Sequence, residues 1–137
     1  MKRGEVWRVR LPAVSGHTQA GMRPAVIVQD EQVTASLPTV LVIPCAGTLA
    51  AARFPGTLLV QPDGQNGLTV PSAALVFQLT AVDKRNFLQQ LGTLDPATPD
   101  RLFAELDTLN GRRLAKTGLA SGCAPVRQLK RRRPRRR

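Results

Sequence analysis

Short apolar or alternating runs, each cut off by Gly, Pro, Asn or Asp, most constrain what this chain can fold into. Such runs are long enough to cross a sheet and too short for a helix that packs on a core. Glu5–Leu11 alternates with period two, with Trp7, Val9 and Leu11 on one face and Arg8 and Arg10 on the other, the pattern of a half-buried strand. A polar, glycine-punctuated loop covers 12–23. Residues 25–29 read as a second strand rich in β-branched side chains, with Pro24 at its start because proline has no N–H for a ladder. The apolar run 39–43 predicts a third, central strand, and a loop of small residues over 45–55 follows it. A short fourth strand is expected at 57–61, a turn at 62–67, a fifth strand over 73–80, a helical turn over 83–87 and a sixth short strand over 88–94.

A helical period appears only at the end. Thr98 precedes Pro99, a capping residue before a proline suited to the first helical position. Leu102, Leu106 and Leu109 follow at helical spacing with Phe103 beside them, and Asn110 and Gly111 supply a stop. Short strands joined by turns and one terminal helix make a mostly β chain, a small partly closed barrel with a C-terminal helix. At 137 residues it has room for one domain.

Charge divides the chain where the pattern ends. Residues 1–111 hold nine Lys/Arg and nine Asp/Glu, whereas 112–137 hold eleven Lys/Arg and no acid. The whole net charge of +11 therefore belongs to the tail, and a charge argument for nucleic-acid binding concerns the tail alone. This composition predicts a folded domain over 1–111 and a basic segment over 112–137 that is disordered by itself.

Several chemistries are excluded early. Cys45, Cys123 and His17 are the only residues of their types, and a tetrahedral zinc site needs four ligands. The nine acids are scattered, so no metal or other cofactor is expected. The two cysteines are expected as free thiols. No apolar run is long enough for a membrane helix. No apolar stretch with a cleavage site follows Met1-Lys2-Arg3, which sets the expectation of a cytoplasmic protein.

The segment from Ser15 to Val28, with Gly16-His17-Thr18-Gln19-Ala20-Gly21-Met22-Arg23-Pro24 at its centre, resembles the signature of the MazF/PemK toxins. That signature joins an opening Arg-Gly-Asp/Glu, a loop reading Gly-Ser/His-Glu-Gln-x-Gly-x-Arg-Pro and an apolar strand. Arg3-Gly4-Glu5 supplies the opening, and residues 16–24 supply the loop with one change. The run Val40 to Cys45, Gln78, and Val82-Asp83-Lys84-Arg85 match later elements, so the resemblance covers about 3–111. It implies an SH3-like barrel of the MazF/CcdB type, usually a homodimer, that cuts single-stranded RNA and is held inactive by an acidic antitoxin.

The same resemblance gives Arg23 a catalytic role. Metal-free RNA cleavage uses the substrate's own 2′-hydroxyl. The site must then help remove that proton, stabilise a dianionic phosphorane and protonate the leaving 5′-oxygen. An arginine is always charged and offers forked donors to phosphate oxygens, which suits the phosphorane. The family places a threonine or serine just after the third strand, where this chain has Ala46. Thr48, two residues on, either takes that part or is a solvated loop threonine. Thr18 stands where the family has glutamate. His17, which titrates near neutral pH, is then either a general acid or base beside Arg23 or an ordinary exposed histidine. Thr18, Gln19, Gly21 and Gln78 are the RNA-binding candidates, the two amides because they both donate and accept. Phe77 is read either as a stacking face beside Gln78 or as a core residue, and the core reading is favoured because the two would point to opposite sides of a strand; Trp7 is also expected in the core. Two other readings stand beside the endoribonuclease. One is a catalytically weakened member that binds RNA or antitoxin, favoured by Ala46 and Thr18. The other is a CcdB-like topoisomerase poison, against which the Arg-Pro loop speaks.

Overall fold

The computed structural model describes residues 1–12 and 21–112. Seven strands, β1 (Glu5–Leu11), β2 (Gly21–Ile27), β3 (Thr39–Ala46), β4 (Thr57–Val60), β5 (Ser72–Leu75), β6 (Thr80–Asp83) and β7 (Phe87–Thr93), form one antiparallel sheet. Its order is β4-β5-β3-β2-β1-β7, with β6 also paired to β3. The helices are α1 (Glu31–Ser36) and α2 (Ala97–Leu109). The fold is mostly β, a partly open barrel closed at one side by a C-terminal helix, as the strand pattern implies.

Two cores lie on opposite faces of the central strands. Val6, Val26, Ile43 and Cys45 pack with Leu102 of α2, and Val9, Ala25, Ile27, Val40 and Val42 pack with Val82, Trp7 and Phe87. The first half of β1 is thus covered on both sides, more than the half-buried strand its alternation suggests. Arg8 and Arg10 are exposed as expected. Trp7 sits edge-on to Phe87, with centroids 5.9 Å apart, and its indole N–H donates to Glu5 Oε1 at 2.9 Å.

Several boundaries differ from the sequence expectation, each for a physical reason. Pro24 lies inside β2 rather than at its start. Pairing with β3 begins only at Ala25, opposite Pro44, so residues 21–24 have β1 alone as neighbour. A proline on such a one-sided stretch is tolerated as on an edge strand. The expected strand over 73–80 is two strands. Thr80 lies six positions after Ala74, while their partners Cys45 and Val42 lie only three positions apart. The three surplus residues form a 3₁₀ turn, Val76–Gln78. The loop after β3 contains a second 3₁₀ turn, Leu49–Arg53, and β3 itself runs on to Ala46. The helical turn expected over 83–87 is a third, Lys84–Asn86. In α2 the first helical residue is Ala97, whose N–H is accepted by Asp95 Oδ1 at 2.7 Å. Thr98 and Pro99 therefore lie inside the first turn, where proline costs no helical hydrogen bond. The short α1 had no periodicity to betray it. Its signal was the capping aspartate Asp30, which accepts from Gln32 N–H at 2.8 Å.

Candidate active site

Arg23 is part of β2, not of the loop before it. It stands opposite Val9 of β1, on the strand face that Ala25 and Ile27 also occupy, and its side chain is half-buried. The strand therefore fixes its backbone, and the residue is only partly buried. Gly21 opens β2 opposite Leu11 with φ of +82° and open space around it, a conformation that a residue with a Cβ rarely adopts. His17, Thr18 and Gln19 lie outside the described residues.

The antiparallel pairing brings the start of β2 and the end of β3 to the same end of the sheet. Ala46 closes β3 there and is 4% exposed, its methyl packed with Ala73, Leu75 and Ala51. Thr48 follows after Gly47. It is exposed and sits at the N-terminus of the Leu49–Arg53 turn, where its side chain makes no capping hydrogen bond. The first hydroxyl that follows β3 in the chain thus belongs to Thr48, and it is not committed to capping that turn.

Gln78 ends the Val76–Gln78 turn, half-buried, and β3 lies between its element and β2 in the strand order. The period-two argument about its neighbour fails because these residues are not in a strand. Phe77 is 42% exposed rather than in the core. It meets Phe54, with ring centroids 6.0 Å apart, an exposed pair that the strand reading concealed.

Other polar groups are occupied structurally. Asp83 accepts from the Arg85 backbone N–H at 2.9 Å and from its side chain at 3.1 Å, and these contacts lower its pKa. A recess of about 250 Å³ between the end of β4 and the start of α2 is lined by Asp63, Asp95 and Arg101. Both of its acids already accept backbone N–H groups, Asp63 from Gln65 and Asn66 and Asp95 from Ala97. Cys45 is buried, and desolvation pushes its thiol up to about 12, so it has no nucleophilic character at neutral pH.

Seven antiparallel strands coiled into a partly open barrel, with an arginine and a threonine at one mouth and a terminal helix over the other face, define a small SH3-like barrel protein. Comparison with known families supplies the rest. The family model of PemK-like, MazF-like toxins of type II toxin–antitoxin systems matches residues 2–109. The chain belongs to that family. It is 31% identical over 91 residues to the endoribonuclease MazF of Staphylococcus saprophyticus, a match covering 66% of this chain and 75% of the relative. Among solved structures it resembles MazF from Deinococcus radiodurans, with a TM-score of 0.69 and 20% identity, over 81% of this chain and 96% of the other. It also resembles a mycobacterial endoribonuclease solved in complex with its cognate antitoxin, with a TM-score of 0.66 and 20% identity, over 84% and 99%. Among the described residues, no helix is long and apolar enough to cross a membrane.

Proposed function

We propose that this chain is a cytoplasmic toxin endoribonuclease that cleaves single-stranded RNA without a metal ion. The substrate 2′-hydroxyl attacks the adjacent phosphorus and the P–O5′ bond breaks. The proton lost by the 2′-hydroxyl passes to a base in the site, and the departing 5′-oxygen gains one. Arg23 stabilises the charge of the phosphorane. The observation that carries this reading is that Arg23 is held on a strand and only partly buried, at the end of the sheet where β3 finishes, which supports its meeting a phosphate there. Thr48 supplies the hydroxyl that Ala46 lacks. From the family resemblance, His17 takes a proton-transfer role. Thr18, Gln19, Gly21 and Gln78 contact RNA, the active form is a homodimer, and an acidic antitoxin occupies the RNA groove. The curated relative is named an endoribonuclease and one structural neighbour was solved with an antitoxin, which supports both halves of this reading.

A second reading is favoured by Ala46. Its packed methyl leaves no hydroxyl at the strand end, as in a family member that binds RNA or antitoxin and cuts weakly. One assay decides between them. Purified protein is incubated with a long single-stranded RNA in EDTA, as wild type, Arg23→Ala and a truncation after Gly111. The enzyme reading expects discrete cuts that survive truncation and vanish with Arg23→Ala. Retardation without cuts in the wild type would refute it and leave the binding module.

A further inference from the structure

Phe54 and Phe77 are 49% and 42% exposed, although aromatic residues are scarce in this chain. Their rings lie 6.0 Å apart at 59°, and the Arg53 guanidinium carbon stands 5.4 Å from the centre of the Phe54 ring. Arg53 is exposed and makes no ion pair among the described residues. Two exposed aromatic rings beside a cation with no ion pair among the described residues are the parts of a platform for single-stranded nucleic acid. The rings take a base and the cation takes the backbone.

The fold sets this cluster on the side of the sheet that Arg23 uses. Ala51, in the turn that leads to Arg53 and Phe54, packs on Ala46, Ala73 and Leu75. Ala46 shares a strand face with Val42, and Val42 packs with Ala25 and Ile27, the face-mates of Arg23. Along β5 the offset is short. Ala46 pairs with Ala73, whereas Phe54 leads into Thr57, opposite Leu75, and Phe77 follows Leu75 by two residues. Ala73 and Leu75 are about 7 Å apart along an extended strand. The backbone step from the strand end at Ala46 to the pairing that Phe54 leads into is thus on the scale of neighbouring nucleotides.

We propose that Arg53, Phe54 and Phe77 form a base-stacking subsite that holds a nucleotide close to the scissile bond. The assignment rests on single-stranded RNA being the substrate. Phe77 supplies the stacking face, Phe54 backs it, and Arg53 meets the adjoining phosphate. The subsite selects for a stacked base without reading its edge, so it contributes to binding and to the register of the strand more than to sequence choice.

The test uses the full chain and a labelled single-stranded RNA whose riboses are 2′-O-methylated, so that it cannot be cut through the 2′-oxygen. A matching oligonucleotide with base-free residues serves as comparator. Affinity is read by fluorescence anisotropy for wild type, Phe54→Ala, Phe77→Ala and Phe77→Trp. Phe77→Ala is expected to weaken binding of the intact RNA about tenfold or more, with Phe77→Trp restoring it. The base-free strand should bind wild type and Phe77→Ala alike. Equal binding of intact RNA by wild type and both alanine variants would overturn the assignment. So would an equal loss for both strands, or a change from dimer to monomer in light scattering with no base dependence, which would mark the patch as a contact between copies. Because no cleavage is measured, failure of the ribonuclease reading shows separately, as wild type that does not cut unmodified RNA.

Discussion

Under the proposed mechanism, Thr48 takes the task that the family resemblance gives to the position of Ala46. Ala46 is packed, so a hydroxyl introduced there would enter a close-fitting cluster of alanines and Leu75. Thr48 is the more accessible donor. Thr48→Ala should therefore lower kcat by about 10²-fold, the cost of one lost transition-state donor, while Thr48→Ser keeps most of the rate. Single-turnover cleavage of a defined RNA reads this directly. Cys45 makes the opposite case, a reactive group silenced by its surroundings. Its thiol is buried and pushed up to about 12, so iodoacetamide should leave it unlabelled until denaturant is added, as peptide mapping would show. A folded pKa raised above the unfolded value means the stabilising contribution is present below about pH 9 and lost as pH rises towards 12. Stability should fall over that window by about 1.4 kcal/mol per pH unit, and Cys45→Ala should flatten the slope. Arg23 could be singled out as a candidate in the sequence because it stands in a motif of fixed spacing. The exposure of Phe77 was not legible there, because alternation is a rule about strands and Phe77 lies in a turn.

Most elements were legible from their runs, and two of the misreadings, the place of Pro24 and the single strand over 73–80, have a common source. Both concern a place where one strand changes neighbours. β3 pairs with β6 up to Val42 and with β5 from Cys45, and the buried Pro44 sits at that exchange without a ladder N–H to lose. A local sequence carries no record of such a change of partner. The same holds for the crossing between the 61–67 loop and β7. A Cβ on Gly92 would lie 2.0 Å from the Gln65 carbonyl oxygen, and one on Gly67, at φ +71°, 2.2 Å from that of Leu91. Both obstructing atoms are backbone, so neither can yield cheaply, and the Thr93 N–H donation to Gln65 at 2.9 Å depends on this approach. Gly92→Ala should cost roughly 2–4 kcal/mol. Chemical denaturation with an unchanged m-value would establish that the loss is in stability and not in compactness.

At the scale of the whole molecule, charge and fold are separable. Residues 1–111 balance their charges and 112–137 carry all of the excess, so under the proposed function the two would contribute to RNA affinity by different laws. Truncation after Gly111 should reduce the slope of log affinity against log salt and leave the positions of cleavage unchanged, measured by titrations at several salt concentrations. An unaltered slope would show that the tail takes no part. The architecture itself, barrel and terminal helix, was readable from strand lengths and one helical period. The two-sided core was not, since it requires knowing that β1, β2 and β3 are neighbours. That arrangement has a consequence for how such a protein diversifies. α2 is fastened to one face, through Leu102, and Arg23 stands on the other, beside Val9. Substitutions that remodel the helix side are screened from the guanidinium by a full sheet, so drift there can reshape surfaces presented to new partners while the chemistry is inherited unaltered.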